Sequence, residues 1–337
     1  MRSSLIFALF CAALLSACDR GDDTVAFELT GSTMGTTFSV VLVLQAGQQP
    51  EVDLQERIEH LVRSIEQSMS TYLLESEVSR FNASLSTEWF PVSPMLCGAV
   101  EESLAISKLT DGAFDITVGP LVNLWGFGPD NVPLEPPDDA LIDAARERVG
   151  YVKLQADCSQ PGLQKSRPDV YIDLSAYAKG FAVDRLAALL DDERIDNFMV
   201  EIGGELRTRG HNDDGDKWRV AIESPAGTAQ RVLHLSGEAM ATSGDYRNYY
   251  EFSGSRYSHT IDPRRARPVS HNLAAVSVVS ESAGFADAMA TALLVLGPEE
   301  GMRLATQQHV AAFFQLRTDN GFEQLMTPVF RDIASAE

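Results

Sequence analysis

Apolar residues recur in this chain at two periods, and the order in which those periods follow one another is what most limits the fold. Strand signals, apolar alternation or short apolar runs bounded by turns, mark residues 24–30, 36–44, 198–202, 206–209, 218–223, 232–235, 239–242, 273–279 and 310–316, with two more at 151–154 and 170–174. Helical spacing marks residues 52–69, where Ile58, Leu61, Val62, Ile65 and Met69 share a face, and residues 94–109, 138–149, 176–190, 286–296 and 299–307. Gly297-Pro298 parts the last two helices, since glycine ends helices and proline cannot continue them. Residues 112–128 are rich in glycine and aromatics and have no clean period. Residues 129–138 hold four prolines and read as a loop. Strands and helices come mixed, without strict βαβ alternation, which predicts an α+β fold of mixed sheets with packed helices.

Residues 1–17 read as an export signal. Arg2 precedes an apolar run over residues 5–15, and Ser16 and Ala17 follow it. The run is shorter than the roughly 20 residues needed to span a bilayer. Leu15-Ser16-Ala17-Cys18 resembles the lipobox of bacterial lipoproteins, which predicts cleavage before Cys18 and acylation of its thiol. Residues 18–24 then form a short polar tether, and residues 25–337 the folded domain. Asp19 resembles the retention signal of the enteric inner membrane, so the expected address is the periplasmic side of that membrane.

The formal net charge of -21 disfavours nucleic acid as a partner, because binding there requires neutralising phosphates. Any phosphate bound by this chain needs a local Lys or Arg, backbone amides or a metal. Of four cysteines, Cys11 is removed with the signal and Cys18 is lipidated. Cys97 and Cys158 remain. The periplasm permits disulfides, but two cysteines at this separation set no framework, and their pairing stays open.

There is no P-loop, no GxGxxG after a strand, no GxSxG and no HExxH. Less common constellations remain. Asp287 and Thr291 lie four apart on one helix face and offer two hard oxygens suited to Mg²⁺. Equally, Asp287 is an acid in a first helical turn, where the dipole favours it. Asp173-Leu174-Ser175-Ala176 joins a strand to a helix whose first turn holds Lys179. Such a junction offers free amides to an anion and a free carbonyl to a metal, or Asp173 and Ser175 simply cap the helix. His259, within Tyr257-Ser258-His259-Thr260-Ile261-Asp262-Pro263, is a candidate general base or a structural histidine. Residues 113–128 suit a flat ring in a pocket, or a packed core loop.

In order, Ser32 to Thr36, Met69 to Tyr72, Asp111 to Gly128, Asp173 to Asp184, Glu201 to Glu205, Thr242 to Tyr246, Ser258 to Pro263 and Ala286 to Thr291 resemble the ApbE family of FAD:protein FMN transferases. The resemblance implies a T-fold-like α+β architecture, use of FAD and Mg²⁺, and transfer of FMN to a Thr or Ser hydroxyl with release of AMP. It implies metal ligands at Asp287, Thr291 and the Ala176 carbonyl. Flavin contacts would fall on Met34, Tyr72, Ala113, Phe114, Asp115, Asp173, Lys179 and Ile261, with His259 as base. The family often has threonine where Ala176 stands; a backbone ligand survives that change. Its acceptors resemble flavin-carrying subunits of sodium-pumping NADH:quinone oxidoreductase and Rnf-type complexes. Two other readings use the same residues: a Mg²⁺-dependent FAD pyrophosphatase, and a periplasmic FAD-binding lipoprotein without turnover. A structural lipoprotein is a weaker third.

Overall fold

A computed structural model describes residues 24–129, 135–227, 229–246 and 248–335. The signal segment, Cys18, Asp19 and most of the tether lie outside the described residues, as does part of the 129–138 loop. Thr24, read as the end of the tether, already opens the first strand.

Eight strands form one sheet: β1 (Thr24–Thr33), β2 (Thr36–Gln45), β3 (Phe198–Ile202), β4 (Glu205–Arg209), β5 (Ala239–Gly244), β6 (Leu273–Ser280), β7 (Ala311–Thr318) and β8 (Gly321–Met326). They lie side by side in chain order, each antiparallel to its neighbour. Four long helices position the site: α1 (Leu54–Met69), α2 (Pro94–Leu109), α3 (Ala178–Asp192) and α4 (Ala283–Gln307).

Period two assigns the faces. Phe198, Val200 and Ile202 of β3, Ala239 and Ala241 of β5, Val276 and Val278 of β6, and Ala312 and Phe314 of β7 join the helices in the main core. The alternate residues Leu206, Met240, Val279, Ala311 and Phe313 meet a second core. That core is closed by the hairpin of Trp218–Glu223 with Ala229–Leu235 and by Phe330 of the helix Pro328–Ser335. With both faces covered, β6 is buried along nearly its whole length, which explains its almost unbroken apolar run.

Most predicted elements are present, and the departures have local causes. The first two strands run on to a two-residue turn at Met34-Gly35, whose φ values of 50° and 72° fit the twist of a tight hairpin. Residues 151–154 open as a 3-10 turn at Tyr151–Lys153, and the strand is Leu154–Asp157. Residues 170–174 are extended but pair with no strand. The Asn82 amide donates to Ile172 O and accepts Ile172 N–H, and Asp173 N–H donates to Ile116 O. Side chain and loop thus stand where a neighbouring strand would. Helix α3 begins at residue 178 rather than 176, after a tight turn over Leu174. The predicted helices 286–296 and 299–307 are the two halves of α4, parted at Gly297, where φ is 79°.

Several short elements escaped the periodicity: the helix Glu77–Ala83, the strand Gly162–Lys165, the hairpin of Tyr249–Phe252 with Ser255–Ser258, β8, and Pro328–Ser335. Cys97 and Cys158, left open by the sequence, form a disulfide that ties α2 to the end of the strand Leu154–Asp157.

Candidate active site

Asp287 leaves the first turns of α4 with its backbone on the sheet and its carboxylate turned to α3. Asp184 of α3 draws the two helices together: its oxygens accept from Ser282 Oγ and from the Ala283 and Gly284 amides, and Arg207 pairs with it at 2.7 Å. Gly180 permits the approach, since a Cβ there would stand 2.2 Å from Ala283 O. The Gly180 amide donates to Asp287 Oδ2 at 3.2 Å. In a regular helix that amide would bond the carbonyl four residues back, Ala176 O. Here the Ala176 carbonyl takes no backbone hydrogen bond from a described residue. The diversion of one amide thus frees one carbonyl beside one carboxylate.

These groups line a cavity of about 440 Å³ at the helix-covered face of the sheet. It gathers Tyr72, Ala113, Phe114, Asp115, Asp173, Ala176, Lys179, His259, Ile261, Asp287 and Thr291, all predicted from sequence. Met34 is not among the lining residues. It sits in the β1–β2 turn, half-buried against the main core, and its amide donates to Glu66. Tyr72 is largely exposed at the rim; the partial desolvation it meets there and the Asp173 charge push the pKa of its hydroxyl up.

Two predicted contacts have other work as well. The Asp115 carboxylate accepts from Thr117 N, Thr117 Oγ1 and Tyr151 N, which braces the loop; burial pushes its pKa up against those bonds. Asp173 accepts from Ser175 N and Oγ in a local turn; it does not cap α3, whose N-cap is Tyr177 with no side-chain bond. Residues 113–128 divide between cavity wall and packed core. Phe114, Val122 and Phe127 line the cavity, while Leu121 and Trp125 pack in a third core with Ile142, Val149 and Ala266.

Lys179 is the one Lys or Arg among the described lining residues. Its Nζ lies 2.7 Å from Glu205 Oε1 and 3.9 Å from Asp287 Oδ2. Burial lowers its pKa, but the Asp287 and Glu205 charges outweigh that and hold it above the ordinary range. Burial and the Asp287 charge push the Glu205 carboxyl up, while Lys179 pulls the other way. A cation at Asp287 would remove the second of those pressures and favour the Glu205–Lys179 ion pair.

His259 hangs from the hairpin Tyr249–Ser258. Its Nδ1 lies 3.0 Å from Asn248 O. A carbonyl only accepts, so Nδ1 carries the proton and Nε2 keeps its lone pair. Burial holds the imidazole below its ordinary pKa. Three stacked contacts, Trp125–Tyr257, Tyr257–Tyr250 and Tyr250–Phe127, back the hairpin. Its far end is fixed by Asp245, which pairs with both Arg256 and Arg317.

Sequence reasoning missed Glu205, Ser243 and Asn248 as site residues. Ser243 Oγ lies 2.9 Å from Thr291 Oγ1. Glu205 follows the Gly203-Gly204 turn between two predicted strands, a position at the end of a sheet strand that could have marked it.

No cluster of three or more His, Cys, Asp or Glu side chains suited to a metal occurs among the described residues. The donor set that is present is one carboxylate, one hydroxyl and one carbonyl, all hard oxygens. Such a set fits Mg²⁺, which needs few protein ligands and keeps water and substrate oxygens for the rest.

The sequence profile of the ApbE family matches residues 34–314. The chain belongs to the ApbE family. It is 41% identical to a Vibrio cholerae protein named FAD:protein FMN transferase, over 99% of this chain and all of that one. It is 40% identical to an Escherichia coli protein of the same name, over 98% and 97%. The crystal structure of Pseudomonas stutzeri flavinyl transferase ApbE, apo form, superposes with a TM-score of 0.86 at 39% identity, covering 94% of this chain and 98% of that one. The Vibrio cholerae flavin transferase ApbE gives 0.85 at 40% identity. The ApbE architecture expected from sequence is therefore present throughout the sheet and its helices.

Proposed function

We propose that this transferase moves FMN from FAD to a Thr or Ser hydroxyl of a flavoprotein subunit, with Mg²⁺, at the periplasmic face of the inner membrane. The observation that carries the reading is the meeting, in one cavity of an ApbE chain, of Lys179, the Asp287–Thr291–Ala176 oxygens and a neutral His259. Catalysis of phosphoryl transfer rests on positioning and on offsetting charge, and these groups supply both.

Phe114, Val122, Phe127 and Tyr72 offer apolar and aromatic surface to the isoalloxazine. Lys179 faces the diphosphate. Mg²⁺ held by Asp287, Thr291 and the Ala176 carbonyl would offset charge on the diphosphate and on departing AMP. The acceptor oxygen bonds the FMN-side phosphorus, and the bond from that phosphorus to the bridging oxygen breaks. His259 Nε2 takes the hydroxyl proton, and Nδ1 stays committed to Asn248. The lipid anchor predicted at Cys18 would hold the site near subunits of the sodium-pumping NADH:quinone oxidoreductase or Rnf type.

Incubation of the mature chain with FAD, Mg²⁺ and a candidate acceptor tests the reading, with the acceptor weighed by mass spectrometry. A gain of one FMN is expected. FMN and AMP in solution with an unmodified acceptor would point to a pyrophosphatase. FAD recovered intact would leave a flavin-binding lipoprotein. Asp287→Asn should abolish the transfer that Mg²⁺ supports.

A further inference from the structure

Glu205 is a buried acid to which the chemistry above gives no task. It is 3% exposed, lines the cavity, and spends one oxygen on Lys179; the other has no partner. A buried carboxylate with an unpartnered oxygen is costly, so its presence calls for a reason. The reason lies in the competition around Asp287. Two cations have claims on that carboxylate: the Lys179 ammonium, already 3.9 Å away, and the divalent ion of the proposed mechanism. Lys179 has a long flexible stem and three donors. Without another anchor it would close on Asp287 and occupy the oxygens that a metal needs. Glu205, 2.7 Å from the ammonium against 3.9 Å for Asp287, holds it back.

We infer that Glu205 is a positioning residue: it holds Lys179 off Asp287, so that carboxylate and ammonium serve the diphosphate separately. The inference rests on the metal reading of the proposed function. The Gly203-Gly204 turn contributes, because Gly203 lies against the Lys179 stem; a Cβ there would stand 3.4 Å from Lys179 Cδ. The turn that leads into Glu205 and the lysine stem are thereby in contact.

A double-mutant cycle on the mature chain tests this, with Mn²⁺ alone as the probe. Binding is read by electron paramagnetic resonance without FAD, and folding is followed by thermal melting. Glu205→Gln should weaken Mn²⁺ binding about 10- to 100-fold, as loss of a group that orients a metal site does. In a Lys179→Met background the same change should have almost no effect, because the competitor is gone. Glu205→Met, similar in volume and without a polar group, must give the same pattern. Equal losses in both backgrounds would overturn the inference, since Glu205 would then meet the cation itself. No loss in either would overturn it too. Failure of the unaltered chain to bind Mn²⁺, or undiminished binding by Asp287→Asn, would remove the metal reading and this inference with it.

Discussion

At the scale of single residues, the site works through atoms already committed elsewhere. Asn248 O fixes the His259 tautomer, and the Gly180 amide turns to Asp287 instead of to Ala176 O. Burial lowers the His259 pKa, so the base form persists below the ordinary value of about 6.5 and is lost only as pH falls through the depressed one. The rate of transfer from free enzyme should therefore decline on the acid side with an apparent pKa below about 6.5. His259→Asn should remove that limb and lower kcat by about 10²- to 10⁴-fold, with FAD affinity by fluorescence nearly unchanged. The residue types were legible in the sequence, because an acid and a hydroxyl four apart on a helix share a face whatever else surrounds them. The partners were not. Nothing local in the sequence joins Ser243 to Thr291, or Glu205 to Lys179, across 48 and 26 positions.

At the scale of elements, the α3–α4 contact decides the site. Asp184 satisfies the first amides of α4, a cap lent by another helix, and Gly180 lets the backbones touch. Gly180→Ala would press a methyl group on the Ala283 carbonyl, which is backbone and has little room to yield. It should destabilise the fold by about 1–3 kcal/mol in urea unfolding, and weaken cation binding at Asp287 as the helices part. Strands with one clear facing pattern, such as Phe198–Ile202 and Trp218–Glu223, were found at their true ends. Residues 170–174 have strand composition, but the Asn82 side chain takes the ladder's place, and no period reports that. The helix Glu77–Ala83 is too short to complete a recognisable stripe.

At the scale of the molecule, a sheet laid down in chain order sends long excursions out between neighbouring strands. The segment from residue 46 to residue 197 leaves β2 and returns to β3 beside it, and it builds much of the cavity wall on the way. The fold class was legible because mixed order without alternation admits few arrangements. The sheet's order was not, since it depends on pairings between distant segments. The disulfide spans 61 positions within that excursion and encloses residues 113–128. Closing so long a loop restricts the unfolded chain, so Cys97→Ser should cost about 2–4 kcal/mol in urea unfolding. Reductant should loosen bound FAD, read as recovered flavin fluorescence, before far-ultraviolet dichroism shows the sheet melting. With the export proposed from residues 1–17, this bond would also set an order of events. A chain threaded unfolded through a translocon gains the cross-link only after it emerges. FAD met earlier, during synthesis, would find the wall unbraced, so the last step of maturation and the first productive meeting with flavin would fall on the same side of the membrane.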